Sequence, residues 1–304
     1  MVQTVTGLIG QEEMGCTLSH EHLCIDLARV RKNDDSTFGY SDEVKLEIMR
    51  AKELGVRTIV EVSCNDMGRN IEELYRLSKE CGVFIIASTG FYLDEYHSET
   101  IKKATIEEIT NIFIHDLTIG IDGTNKKAGV IGEVATSECI TESEKKVLQA
   151  AAYAAKEIGC AIITHCQLGK LGDEQASIFQ EIGINPRKVV LGHIDLSNNI
   201  EYMCRLLDKG FNIAFDTIGK ENYLTDDIRA KNLKILLDKG YTEQIVLSQD
   251  VSKKSYFSQK GKFGGYTTVL KSFVPKLLEL GIDKKKIDKM LVTNPYQIFK
   301  IDRV

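Results

Sequence analysis

Along the chain, short apolar runs rich in valine, isoleucine and threonine alternate with longer stretches whose apolar residues recur at three- and four-residue spacing. Runs of the first kind fit strands buried on both faces; stretches of the second kind fit helices with one buried face. Eight runs predict strands: Thr17 to Ile25, Thr58 to Val62, Val83 to Ser88, Ala128 to Val134, Ala161 to His165, Lys188 to His193, Phe211 to Phe215 and Gln244 to Leu247. Between them, helices are predicted over Ser41 to Leu54, Arg69 to Glu80, Ala104 to Gly120 and Thr141 to Ile158, and near 171–182, 197–208, 225–239 and 265–280. Cap residues agree with several of these limits. Ser41 precedes an acidic first turn and Gly55 follows the helix, while TESE opens the fourth helix as a capping box and Gly159 closes it.

Eight strands, each followed by a helix, predict a (β/α)8 TIM barrel. An open sheet of eight units has the same period, but no dinucleotide-binding glycine fingerprint follows the first strand. Asp283 to Val304 is expected to form one or two terminal helices broken at Asn294-Pro295. With no linker or low-complexity stretch, residues 1–304 are expected to form a single (β/α)8 domain.

Composition narrows the function classes. The 304 residues are 43% hydrophobic and 27% charged, ordinary values for a soluble enzyme. A formal net charge of −5 with no basic block argues against nucleic-acid and anionic-membrane partners. No signal peptide or membrane span is expected, and the eight cysteines include no Cys-x-x-Cys pair. Free thiols in the cytoplasm are the expectation.

Candidate chemistry begins at His20-Glu21-His22. Side chains alternate faces along a strand, so both imidazoles are expected on one face and Glu21 on the other. The pair alone is equally an ordinary polar strand end. The ends of other predicted strands change its meaning, because barrel side chains gather there: Glu133 in the fourth, His165 in the fifth, His193 in the sixth, Asp250 after the eighth. Four imidazoles and two carboxylates suit two divalent ions. His20, His22 and Asp250 are expected to hold one, His165 and His193 the other, with Glu133 bridging. Taken singly, Glu133 also fits a buried acid paired with a lysine or arginine, His165 and His193 fit hydrogen-bonded core residues, and Asp250 fits a helix cap. Outside this set, His115 is expected to be structural or exposed, His97 a surface residue, and Cys166 a packed thiol facing away from His165.

MGCTLSHEHL resembles the N-terminal signature of the phosphotriesterase family within the amidohydrolase superfamily. The resemblance continues in order through GVRTIVEVS, MGRN, STGFY, IDGTNKKAGVIGEVATSE, GHIDL, FDTIGK and LSQDVSKKSY, nearly the whole chain. It implies a (β/α)8 barrel with two divalent ions, usually zinc, with manganese, cobalt or iron(II) as alternatives. His20, His22, Glu133, His165, His193 and Asp250 take the family's ligand positions. Many members bridge the ions with a carboxylated lysine where this chain has Glu133, as in one branch of the family. Glutamate supplies the same carboxylate without carbon dioxide, so organophosphate hydrolysis is expected as a side activity at most.

The implied reaction is attack of a metal-bridged hydroxide on a small ester or lactone, phosphorylated or carboxylated forms included, with Asp250 as proton acceptor. Tyr92 of STGFY falls where lactonases of the family place a tyrosine near the metals. The loop VSKKSYFSQKGKFGG offers Lys253, Lys254, Tyr256 and Lys262 to an anionic group, or forms a solvated basic loop. Arg69 of MGRN is a weaker candidate. The competing classes are a metal-dependent DNase with a similar ligand set, a mononuclear deaminase and a non-catalytic metal-binding barrel. A small molecule is the expected partner, with a homodimer as one open assembly.

Overall fold

The computed structural model describes residues 1–261 and 263–302. Lys262 of the loop after the eighth strand, and the last two residues of the predicted tail, lie outside the described residues.

Eight parallel strands form one sheet: Cys16–Glu21, Val56–Glu61, Phe84–Thr89, Val130–Thr136, Ala161–Cys166, Val189–Gly192, Asn212–Phe215 and Ile245–Leu247. Each pairs with the next in sequence, and the sheet curls into a nearly closed TIM barrel. All eight lie where the apolar pattern predicts them. At the seam between first and last strands, the buried carboxylate of Glu21 replaces a backbone ladder. Its Oε1 accepts from Ser248 Oγ at 2.5 Å and from the Gln249 amide at 3.0 Å, and its Oε2 from the Val251 amide at 2.8 Å. The His20 amide donates to Ser248 Oγ at 3.1 Å. Glu21 therefore faces the seam, on the opposite side from His20, and satisfies polar groups that the open edge would leave unpaired.

Most helix limits follow their caps. Asp42–Glu53 starts on Ser41, whose hydroxyl accepts from the Val44 amide, and Ile71–Cys81 starts on Asn70. Ile106–Thr118 and Glu142–Ile158 both open on reciprocal capping boxes, Thr105 with Glu108 and Thr141 with Glu144. Gly172–Ile182, Ile200–Asp208 and Asp226–Asp238 complete the ring of longer helices.

The segment near 265–280 is not one helix. It winds through Gly265–Thr267 and a widened turn at Val269–Phe273 before the helix Val274–Glu279. The tail likewise departs from expectation: winding runs from Lys284–Asp288 through a second widened turn, Lys289–Thr293, into Asn294–Phe299 without a break at Asn294-Pro295. Both widened turns end just before a proline, Pro275 or Pro295. Proline has no amide hydrogen and its ring collides with the preceding turn, and i→i+5 winding makes the room that lets the helix continue.

Two apolar layers hold the barrel. Between strands and helices lies a large core that includes Ile59, Ile85, Ile131, Ile162, Phe113 and Phe179. Inside the barrel, Val60, Ile86, Val130, Ile163, Val190, Ala214 and Val246 pack at the end where the strands begin, closed by Val2, Ile9, Met14 and Phe299. The N-terminal hairpin Val2–Thr4 and Gly7–Ile9, unannounced by the apolar pattern, helps form this plug. With that end filled, the cavity opens where the strands end. Across this opening lies a second small hairpin, Ile25–Asp26 with Thr37–Phe38.

Candidate metal centre

Regular strand geometry does not bring the predicted residues together; local departures from it do. The first strand ends at Glu21, so His22 stands just beyond it, and its pairing with the second strand slips between Leu18 and Glu21. Two residues, Ser19 and His20, thus oppose one. Simple alternation is not what joins His20 to His22: a bulge turns His20, and His22 reaches back from the strand end. The fourth strand repeats the device, with pairing to the fifth slipping between Ile131 and Val134 around Gly132 and Glu133. Bulges next to functional sites re-aim a side chain in this way. His165 lies within the fifth strand. His193 and Asp250 follow the sixth and eighth strands with left-handed φ of 58° and 49°, a conformation that costs about 1–3 kcal/mol and clusters at functional sites.

All six predicted ligands meet at the barrel mouth and all are buried. Glu133 is the centre. Its Oε2 lies 3.1 Å from His165 Nδ1 and 3.4 Å from His20 Nε2, and its Oε1 3.5 Å from His22 Nε2. His22 Nε2 is 3.1 Å from Asp250 Oδ1, and His193 Nε2 is 2.9 Å from His165 Nδ1. His20, His22 and Asp250 bring their ligand atoms within 4.8 Å of one another, as do His20, Glu133 and His193. Glu133 faces imidazoles rather than a lysine or arginine, and Asp250 lines the cavity, while His165 and His193 are buried and hydrogen-bonded within the cluster.

The back of each imidazole is anchored, which leaves the other nitrogen for the cavity. Asp216 lies 2.8 Å from His193 Nδ1 and 3.0 Å from His20 Nδ1. Ser63 Oγ lies 2.9 Å from His22 Nδ1, and Gln167 Oε1 2.8 Å from His165 Nε2. Such outer partners fix ring orientation and tautomer, the usual arrangement behind metal-binding histidines. Burial would raise the Asp216 pKa, but the charges of His193 and His20 outweigh it and hold the carboxyl far below its ordinary value. Glu133 is likewise held low, against burial, by His20 and His165. Asp250 is kept ionised against burial by Lys220, whose ammonium contacts Oδ2, and by His22.

Three buried atoms in this cluster make no hydrogen bond: His20 Nε2, Asp250 Oδ1, and His20 Nδ1, which has only its close contact with the Asp216 carboxylate. Orphaned buried polar atoms are rare. His20 Nε2 and Asp250 Oδ1 belong to sets of nitrogen and oxygen donors able to share a cation, so the residues fit divalent metal.

A cavity of about 310 Å³ opens above the cluster, and Tyr92, Lys253 and Tyr256 line it with Arg31 and Lys220. The Tyr92 hydroxyl is 3.4 Å from His165 Nδ1. Arg69 is elsewhere, paired with Asp116 and Asp122. His97 is buried, contrary to the expected surface position. Its Nδ1 is 2.7 Å from Ser143 Oγ and its Nε2 3.0 Å from the Tyr92 carbonyl, so it ties the Tyr92 loop to the helix Glu142–Ile158 that follows the fourth strand. Two polar partners make the burial affordable. His115 has a side chain 56% exposed, and Cys166 packs in the outer core away from His165. Sequence reasoning passed over Asp216, Ser63, Gln167, Lys220 and Arg31. Asp216 alone carried a signal there, an acid directly ending the apolar run NIAF.

Comparison with known proteins places the barrel in a family. The model of the phosphotriesterase family matches residues 1–299. The phosphotriesterase homology protein of Escherichia coli is 35% identical over 94% of this chain and 98% of its own length. The N-acetyltaurine hydrolase of Danio rerio is 33% identical over 97% of this chain and 96% of its own length. The crystal structure of the Escherichia coli protein, complexed with phosphate in its active site, matches with a TM-score of 0.92 over 95% of this chain and 99% of that one. A lactonase from Listeria monocytogenes matches with a TM-score of 0.94 at 26% identity, over 99% of both chains. Sequence and barrel agree over nearly the whole length: the chain belongs to the phosphotriesterase family.

Proposed function

We propose that the chain is a metal-dependent hydrolase that cleaves a small acyl compound, an ester, lactone or amide, at its carbonyl carbon. The observation that carries this reading is the position of Glu133, with one carboxylate oxygen toward His165 and His20 and the other toward His22. His20, His22 and Asp250 would hold one divalent ion, His165 and His193 the other, and Glu133 both. Four imidazoles with two carboxylates favour zinc, followed by manganese, cobalt and iron(II). Two such ions supply Lewis acidity and a water acidified to near-neutral pKa.

The chain's own groups complete the chemistry. Asp250 takes a proton from the attacking nucleophile and returns it to the leaving group. Lys220, on its Oδ2, favours the ionised carboxylate that accepts the proton. Tyr92 offers a hydroxyl at the cavity wall to a substrate oxygen, and Lys253 and Tyr256 offer a cation and a ring to its far end. A cavity of about 310 Å³ in a chain of net charge −5 suits a small molecule and disfavours a DNA strand. Among the described residues, no helix is long and apolar enough to cross a membrane. The cysteines, each unpaired, fit a reducing cytoplasm.

The lactonase and N-acetyltaurine hydrolase relatives define the test. Lactones, esters and N-acyl amides are screened with the metal-loaded protein, with metal content measured on the same sample. Hydrolysis by a protein holding two ions per chain is expected. One tightly held ion, or failure across all three bond types, overturns the reading.

A further inference from the structure

The hairpin inserted after the first barrel strand, Ile25–Asp26 with Thr37–Phe38, carries Arg31 on its connecting segment to the wall of the cavity. Arg31 Nη1 donates to Ser36 Oγ at 2.8 Å, and Ser36 is buried. Among the described residues, Arg31 makes no ion pair. Burial works against its charge, but its surroundings, the Asp250 carboxylate among them, outweigh that.

The same hairpin is latched to the loop after the eighth strand. The Asp35 carboxylate accepts from the Ser255 amide at 2.8 Å and from its hydroxyl at 2.7 Å, and the rings of Phe38 and Phe257 meet edge to face at 5.1 Å. That loop carries Lys253, whose Nζ stands 5.6 Å from the Tyr256 ring centre and which also lines the cavity. The latch thus holds two cations from different loops against one cavity. Lys220 is committed to Asp250; among the described residues, Arg31 and Lys253 pair with no carboxylate.

Building on the hydrolase reading of this cavity, we infer that Arg31 is a specificity-determining residue. With Lys253 it clamps an anionic group, a carboxylate, sulfonate or phosphate, carried on a short chain from the scissile acyl bond. The guanidinium fork meets two oxygens of such a group at once, and the Ser36 tether holds it ready. The clamp acts on binding, so its loss falls on KM rather than kcat.

Two substrate pairs each set an anionic end group against a neutral one on the same acyl framework: N-acetyltaurine against N-acetylethanolamine, and monoethyl succinate against diethyl succinate. With the metal-loaded full chain, Arg31→Gln is expected to lower kcat/KM for the charged member roughly 10- to 100-fold through KM, and for the neutral member less than about threefold. Arg31→Lys recovers part of the loss. Asp35→Ala, which opens the latch, shifts charged substrates in the same direction by a smaller factor. Equal losses on both members, or none on the charged one, overturn the clamp. If the wild-type chain hydrolyses neither pair, calorimetric titration with N-acetyltaurine decides the clamp separately from the hydrolase reading. Binding about tenfold weaker in Arg31→Gln supports it; equal or absent binding overturns it.

Discussion

Lys220 rests its ammonium on Oδ2 of Asp250 while Oδ1 of the same carboxylate lies 3.1 Å from His22 Nε2. The two oxygens therefore have separate surroundings, one facing a fixed cation and the other facing the metal-ligand cluster. Both residues are buried, so neither charge is screened by solvent.

That pairing predicts how Lys220→Met behaves with and without metal. In the metal-free protein the change leaves a buried carboxylate without its cation, a loss of about 3–5 kcal/mol of folding stability. With metal bound, the ion supplies positive charge on the other side of the same carboxylate, and the loss shrinks. Urea unfolding of both forms checks this. An equal loss in the two forms would mean that no ion stands beside Asp250.

Asp216 predicts a different outcome, because it touches no metal position. It holds Nδ1 of both His20 and His193 from behind. Asp216→Asn retains the size but removes the charge, so the rings lose orientation and basicity. Metal affinity should fall roughly 10- to 100-fold, read by competition with a chromogenic chelator. Unchanged affinity would reduce Asp216 to a core residue.

What was legible in the sequence separates along physical lines. The apolar runs located all eight strands, since strands of a parallel barrel are buried on both faces and read as continuous hydrophobic stretches. The six candidate ligands were legible because each falls at such a run's end or interrupts it with a charge. The outer partners were not: Ser63 and Gln167 are residue types common in any loop, and only the folded chain sets them behind His22 and His165. Nor did the pattern reveal the bulges at His20 and Glu133, because a register slip depends on the neighbouring strand. The winding through Pro295 was missed for a related reason, since a local rule that proline ends helices does not foresee a widened turn.

The proton role given to Asp250 yields its own test. Asp250→Asn keeps the shape but neither accepts a proton effectively nor binds a cation as an anion. Turnover should fall roughly 100- to 10,000-fold while far-UV circular dichroism stays that of the wild type. Full activity in this variant would sink the assignment.

Gly132 carries the last prediction, because Glu133 is aimed by the bulge in which Gly132 sits. Its φ is +139°, and a Cβ there would lie 2.2 Å from the Ile163 carbonyl oxygen of the neighbouring strand. A methyl group cannot fit unless one of the two strands moves, and either movement shifts Glu133 or His165. Gly55 provides the control, with φ of +104° and nothing within 4 Å of a Cβ. Gly55→Ala should lose about 1 kcal/mol from backbone strain alone, with metal affinity unchanged. Gly132→Ala should lose several times as much stability, and the metal affinity of what still folds should fall too. Thermal unfolding and metal titration of the two variants side by side separate strain from misplacement. If Gly132→Ala lost stability but bound metal as the wild type does, the bulge would serve the barrel and not the site.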